Sequence, residues 1–181
     1  HMTILHDKIA GDIALFFIQN KTFGNRIIAT NLPIFPKPDI VLLGQSKTPV
    51  PQIAFEVKPP HAVKREYLTG LGQAVSYLMK FPLVYLVLPD ETIDGIHIPT
   101  FLSEIIERSN SPIGVIEYDI STFKPRIRKK ATLKKDIDIK ELDREIEKLK
   151  PRSWLFWMDT TLNEVAKMLK KIAEVENRNI K

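Results

Sequence analysis

Six consecutive apolar residues, Leu83-Val84-Tyr85-Leu86-Val87-Leu88, closed by Pro89, constrain the fold of this chain more than any other segment. A strand with one wet face alternates apolar and polar residues, whereas a strand covered on both faces reads as a continuous run. The run therefore predicts an interior strand with one layer of structure above it and another below.

The segments around it supply those layers. Residues 4–18 carry apolar positions at three- and four-residue spacings and predict a helix. Residues 26–29 form a short strand. Pro33, Pro36 and Pro38 punctuate the approach to a second strand over 39–43. Residues 44–51 make a turn, and residues 52–58 form a third strand that pairs with the second as a hairpin. Pro59-Pro60 ends it, because proline cannot donate to a ladder. Residues 66–79 are a helix whose apolar face is expected at Leu68, Leu71, Val75 and Leu78. A helix over 99–108, with proline near its first turn, and a strand over 113–118 complete the order. Helix, three strands, helix, strand, helix, strand predicts a three-layer α/β/α domain around a mixed sheet.

The chain of 181 residues suits one domain, with a core over 3–120 and a basic segment and helical extension over 121–181. Its 44% apolar content is enough for a real core. The absence of cysteine excludes disulfides, zinc–thiolate sites and a thiol nucleophile, and fits a reducing, cytoplasmic compartment. No apolar run reaches the length of a membrane span and no signal peptide is visible; His1-Met2 reads as a cloning remnant. There is no Gly-rich phosphate loop, no Ser–His–Asp arrangement and no zinc-ligand spacing.

Charge is placed unevenly. Lys124, Arg126, Arg128, Lys129, Lys130, Lys134 and Lys135 put seven cations into residues 124–135 with no acid. The net charge is +5, so the rest of the chain stands near −2 (+5 less 7). A local basic strip suits a polyanion, and a solvated loop is the plainer reading. Further along, residues 139–149 form an amphipathic helix, Trp154 to Met158 form an aromatic cluster, and Leu162, Val165, Leu169 and Ile172 mark a last helix. This extension is the expected interface of a homodimer.

Chemistry concentrates on the predicted hairpin. Side chains alternate along a strand, so Glu56 and Lys58 share a face. Asp39 opens the preceding strand, and antiparallel pairing brings it toward Glu56. Two close carboxylates repel unless a cation separates them, and hard oxygen ligands favour Mg²⁺, with Mn²⁺ as a substitute. The carbonyl of Val57 is a further donor. Such a metal lowers the pKa of a bound water, and Lys58 can orient that water or neutralise charge developing on a phosphate.

Pro38-Asp39 followed by Glu56-Val57-Lys58, in this order of elements, resembles the PD-(D/E)XK, or restriction-endonuclease-like, nuclease superfamily over roughly residues 4–118. The resemblance implies that Asp39 and Glu56 bind metal and that Lys58 serves the attacking water. Gln73 and Tyr77, four apart on one helix face, are similar to the glutamine-to-tyrosine motif of the junction-resolvase and recombination-exonuclease branches. There the glutamine lies at the active site and the tyrosine approaches DNA or packs nearby. Many relatives carry a Glu on the first helix as an extra ligand; here the candidates are Asp12 and, behind it, Asp7. The function implied is that of a Mg²⁺-dependent DNA endonuclease. Two alternatives stay open: a DNA-binding protein on a nuclease fold that does not cut, and an assembly protein acting through its C-terminal helices.

Other residues carry weaker expectations. Lys64 and Arg65 precede the Gln73 helix and can bind the DNA backbone, as can Arg126, Arg128, Lys129 and Lys130. Glu91 and Asp94 read as a surface turn, and His61 and His97 as loop residues. Trp154 and Trp157 read as core or interface rather than base-stacking residues.

Overall fold

The computed structural model describes residues 2–45, 47–156 and 171. Among these, α1 (Met2–Gln19) leads into β1 (Arg26–Thr30), β2 (Ile40–Gly44) and β3 (Ile53–Val57). Then follow α2 (Lys64–Tyr77), β4 (Leu83–Pro89), a small hairpin of β5 (Thr92–Ile93) and β6 (Ile96–His97), α3 (Ile98–Arg108) and β7 (Gly114–Tyr118). The described part closes with β8 (Pro125–Lys129), α4 (Ile139–Leu149) and β9 (Trp154–Phe156).

Seven strands form one mixed sheet in the order β8-β7-β4-β3-β2-β1-β9. The pairs β3–β4 and β4–β7 are parallel, and the other four are antiparallel. The parallel pairs follow from their connections, since α2 and α3 lie between the strands they join. β4 lies at the centre, as its apolar run requires. Its Tyr85 and Val87 pack with Ile9, Ile13 and Phe17 of α1. Its Val84, Leu86 and Leu88 pack on the opposite face with residues of α2, α3 and α4. Each fully buried aliphatic side chain of this kind contributes about 1.5–3 kcal/mol.

Three expectations need correction. The buried residues of α2 are Tyr67, Gly70, Ala74 and Tyr77, while Leu68 and Val75 are exposed. The helix is thus rotated by one residue from the face that hydropathy selects, with Leu71 and Leu78 at the boundary of the core. The basic stretch is not a loop: residues 125–129 form an edge strand paired with β7. No structural break falls at residue 120, because β8 and β9 join the same sheet and Leu142 and Ile146 of α4 enter the core. The expected helix over Leu162–Ile172, and the side chains of Trp154 and Trp157, lie outside the described residues.

Candidate active site

The hairpin register determines the site. Ile40 pairs with Phe55, so Asp39 and Glu56 are the next cross-strand neighbours, and Asp39 N–H donates to the Phe55 carbonyl at 3.1 Å. Like charges directly opposite destabilise a sheet, so this pairing demands compensation. Part of it comes from the backbone: Val57 N–H donates to Asp39 Oδ2 at 2.7 Å. Glu56, only 3% exposed, faces α2 and accepts a short hydrogen bond from the Tyr77 hydroxyl. Lys58 Nζ lies 3.5 Å from Glu56 Oε2.

These partners do not fully neutralise Glu56. Burial, and then the neighbouring Asp39 carboxylate, push its pKa up to about 8, against the opposing pull of Tyr77 and Lys58. Glu56 therefore holds a proton near neutrality. A divalent cation between the two oxygens would do the same electrostatic work as that proton. The donor set thus fits a hard metal: two carboxylates that repel each other, a strand-end carbonyl, and an amine close by.

One member of the cluster had no expectation attached to it. His6, on the first turns of α1, places Nε2 2.6 Å from the Val57 carbonyl and 3.4 Å from Asp39 Oδ2. Asp12 does not reach this position. It lies six residues beyond His6, about 9 Å along the helix and about 120° round it. Its carboxylate bonds Lys8 at 2.7 Å instead. The side chain of Asp7 lies outside the described residues.

The other named residues are placed as follows. Tyr77 is buried, and the hydroxyl that donates to Glu56 also lies 3.1 Å from the Lys37 carbonyl. The expectation that it contacts DNA is therefore corrected: no nucleic acid can reach it without opening α2. Gln73 lies on the exposed side of α2, and its side chain makes no hydrogen bond to Glu56 or Lys58. Lys64 is exposed and pairs with Asp94 at 3.1 Å, and Arg65 is exposed beside it. Lys129 is half-buried and Lys130 exposed.

Two hydroxyls besides that of Tyr77 fix the exit of β3. Tyr118 donates to the Lys58 carbonyl at 2.6 Å, and Tyr67 donates to the Pro59 carbonyl at 3.0 Å. Lys58 N–H continues the ladder to Val87 at 3.0 Å. The aliphatic stem of Lys58 runs across Gly70 of α2, where a Cβ would come within 2.7 Å of it. The lysine is therefore held at both ends of its reach.

A second cluster lies two strands away. Asp90, His97 and Glu117 bring their ligand atoms within 4.8 Å of one another. Glu117 is 2% exposed, but Arg126 pairs with it closely and Arg128 reaches it at 3.4 Å. Arg128 also donates to Thr100 Oγ1 at 2.7 Å, and His97 bridges Thr100 and Asp90 at 2.6 Å each. Two guanidinium groups already pair with Glu117, and Asp90 has His97 as its partner, so this cluster calls for no cation. It also gives Arg126 and Arg128 a structural duty that the basic run did not reveal. β8 lies three strands from β3, about 14 Å away. His61 and Glu91 likewise pair with each other, at 2.5 Å. Comparison with protein-family models and with curated proteins finds no match to this chain.

Proposed function

We propose that the protein is a metal-dependent DNA nuclease with a restriction-endonuclease-like core, acting in a reducing, cytoplasmic compartment. The observation that carries this reading is the convergence of Asp39, Glu56, the Val57 carbonyl, His6 and Lys58 at one end of the sheet. Three elements contribute to it. A purely structural role does not account for a buried glutamate set directly opposite a second carboxylate.

Asp39, Glu56, the Val57 carbonyl and His6 would hold Mg²⁺ or Mn²⁺. When bound, the metal supplies a water acidified toward neutral pH and a Lewis acid for a phosphate oxygen. Glu56 would have to be ionised to hold the metal, so metal affinity should rise with pH. Lys58 stands where it can position a water or a phosphate oxygen, and Gly70 and Tyr118 keep it there. Tyr77, whose own pKa is driven far up by burial and by Glu56, remains a hydrogen-bond donor and fixes one Glu56 oxygen. Lys64, Arg65 and Lys130, all exposed, and the half-buried Lys129 supply charge for a DNA backbone.

The test is cleavage of labelled linear duplex, single-stranded, flapped and four-way-junction DNA with Mg²⁺, Mn²⁺ or EDTA. Glu56→Ala and Lys58→Ala run beside the wild type. The expected result is metal-dependent cutting that both substitutions reduce by about a thousandfold or more. Intact DNA binding with no cutting by the wild type would favour the non-catalytic DNA-binding alternative instead.

A further inference from the structure

Gly70 and Gly72 stand two residues apart on α2, and only one of them has a reason inside the monomer. Gly70 makes room for Lys58. A Cβ on Gly72 would meet nothing within 4 Å, and its backbone is not in the left-handed region. A mid-helix glycine costs conformational entropy relative to alanine, so an exposed one with nothing packed on it has no local explanation.

Its neighbours along the helix suggest one. Leu68, Gly72, Val75 and Met79 follow a 4-3-4 spacing and fall within a sector of about 60°. Leu68 and Val75 are about half exposed, and Met79, just past the end of α2, is 79% exposed. A narrow seam of this spacing is what one helix offers another. The 4-3-4 spacing also reads the same in both directions. Against an antiparallel copy of itself, Leu68 meets Met79 and Val75 meets the notch at Gly72.

Charge agrees with that orientation. Lys64 and Arg65 extend the seam at its N-terminal end, and Arg65 makes no ion pair among the described residues. At the other end, Met79 borders a groove of about 320 Å³ lined by Lys80, Asp136, Asp138, Glu141 and Glu145; Lys80 pairs with Glu145 and Lys134 with Asp136, while Glu141 makes no ion pair among the described residues. Antiparallel pairing brings Arg65 of each copy toward Glu141 of the other, two charges at these ends that no ion pair occupies among the described residues.

We infer that α2 is the seam of a homodimer, its two copies packed antiparallel about a two-fold axis between Gln73 and Ala74. A two-fold interface uses the same patch twice, which is what the palindromic spacing and the opposed charges provide. This interface is centred on α2, draws its acidic partner from α4 of the C-terminal extension, and does not depend on nuclease activity.

The test is sedimentation equilibrium of the full chain from about 1 to about 200 µM, with thermal unfolding in parallel. The wild type is expected to dimerise within this range. Gly72→Gln and Val75→Glu should each weaken the dimer at least about tenfold, with the melting temperature of Gly72→Gln, read at a monomeric concentration, unchanged or raised. Arg65→Glu should weaken it, and Glu141→Arg added to Arg65→Glu should restore it. A monomer at every concentration overturns the inference, including one whose seam is covered by its own residues 157–181. So does a dimer that Gly72→Gln and Val75→Glu leave intact.

Discussion

Glu56 and Glu117 are buried to nearly the same degree, 3% and 2% exposed, and lie on strands of the same parallel set. Their surroundings separate them. Glu117 faces two arginines that satisfy it. Glu56 faces another carboxylate and one lysine at 3.5 Å, and it keeps its proton. Burial alone thus does not mark a site. The proposed site is distinguished by burial beside a second carboxylate, the arrangement in which a cation would be favoured.

The contrast can be broken first at the level of activity. Glu56→Gln should reduce metal-dependent DNA cleavage about a thousandfold, while Glu117→Gln should leave it within about threefold. Equal losses would mean that both clusters serve the chemistry.

Stability against pH sharpens it next. Glu56 ordinarily titrates at 4.5, but in the fold it titrates at about 8. The metal-free folded protein therefore binds a proton that the unfolded chain releases. That stabilisation is complete below pH 4.5 and is lost as pH rises to about 8, at up to about 1.4 kcal/mol per pH unit. Denaturant melts in EDTA should show this decline, and Glu56→Gln should flatten it. Adding Mg²⁺ or Mn²⁺ should stabilise the protein most at the alkaline end of the window.

The balanced cluster makes the complementary prediction. Replacing Arg126 and Arg128 together by alanine strands the buried Glu117 and should cost about 3 kcal/mol in urea melts. Cleavage per folded molecule should change far less. The smallest effect is expected at Gly70→Ala. The added methyl must push the Lys58 stem aside, so cleavage should fall about tenfold while the helix gains slightly in propensity. Unchanged cleavage by this variant would show that the position of Lys58 is not critical.

Much of this arrangement was legible in the chain. The apolar run at 83–88 gave the central strand, and the Pro-bounded segments 39–43 and 52–58 gave the hairpin, whose pairing alone brings Asp39 opposite Glu56. His6 was not legible, because a histidine early in a helix means nothing until that helix is seen to cross the end of the sheet. Seeking a carboxylate on α1 pointed to Asp12, which faces elsewhere. The buried face of α2 was missed for another reason. Hydropathy ranks leucine and valine above glycine, alanine and tyrosine. Here the small residues give Lys58 and the sheet room, and the tyrosine hydroxyls have partners that offset their burial. β8 was hidden by its charge, which is how an edge strand discourages further pairing.

The hydroxyls around the end of β3 have one more consequence. The chain has four tyrosines, and the surroundings of all four hold their hydroxyls above the ordinary range, Tyr67 at about 12 and the others in the same direction. Tyrosinate absorbance should therefore stay low past the pH at which free tyrosine ionises. It should then rise in one cooperative step as the fold opens. In this protein an ultraviolet alkaline titration reports unfolding rather than phenol acidity, and three of its four chromophores sit beside the proposed catalytic lysine and glutamate.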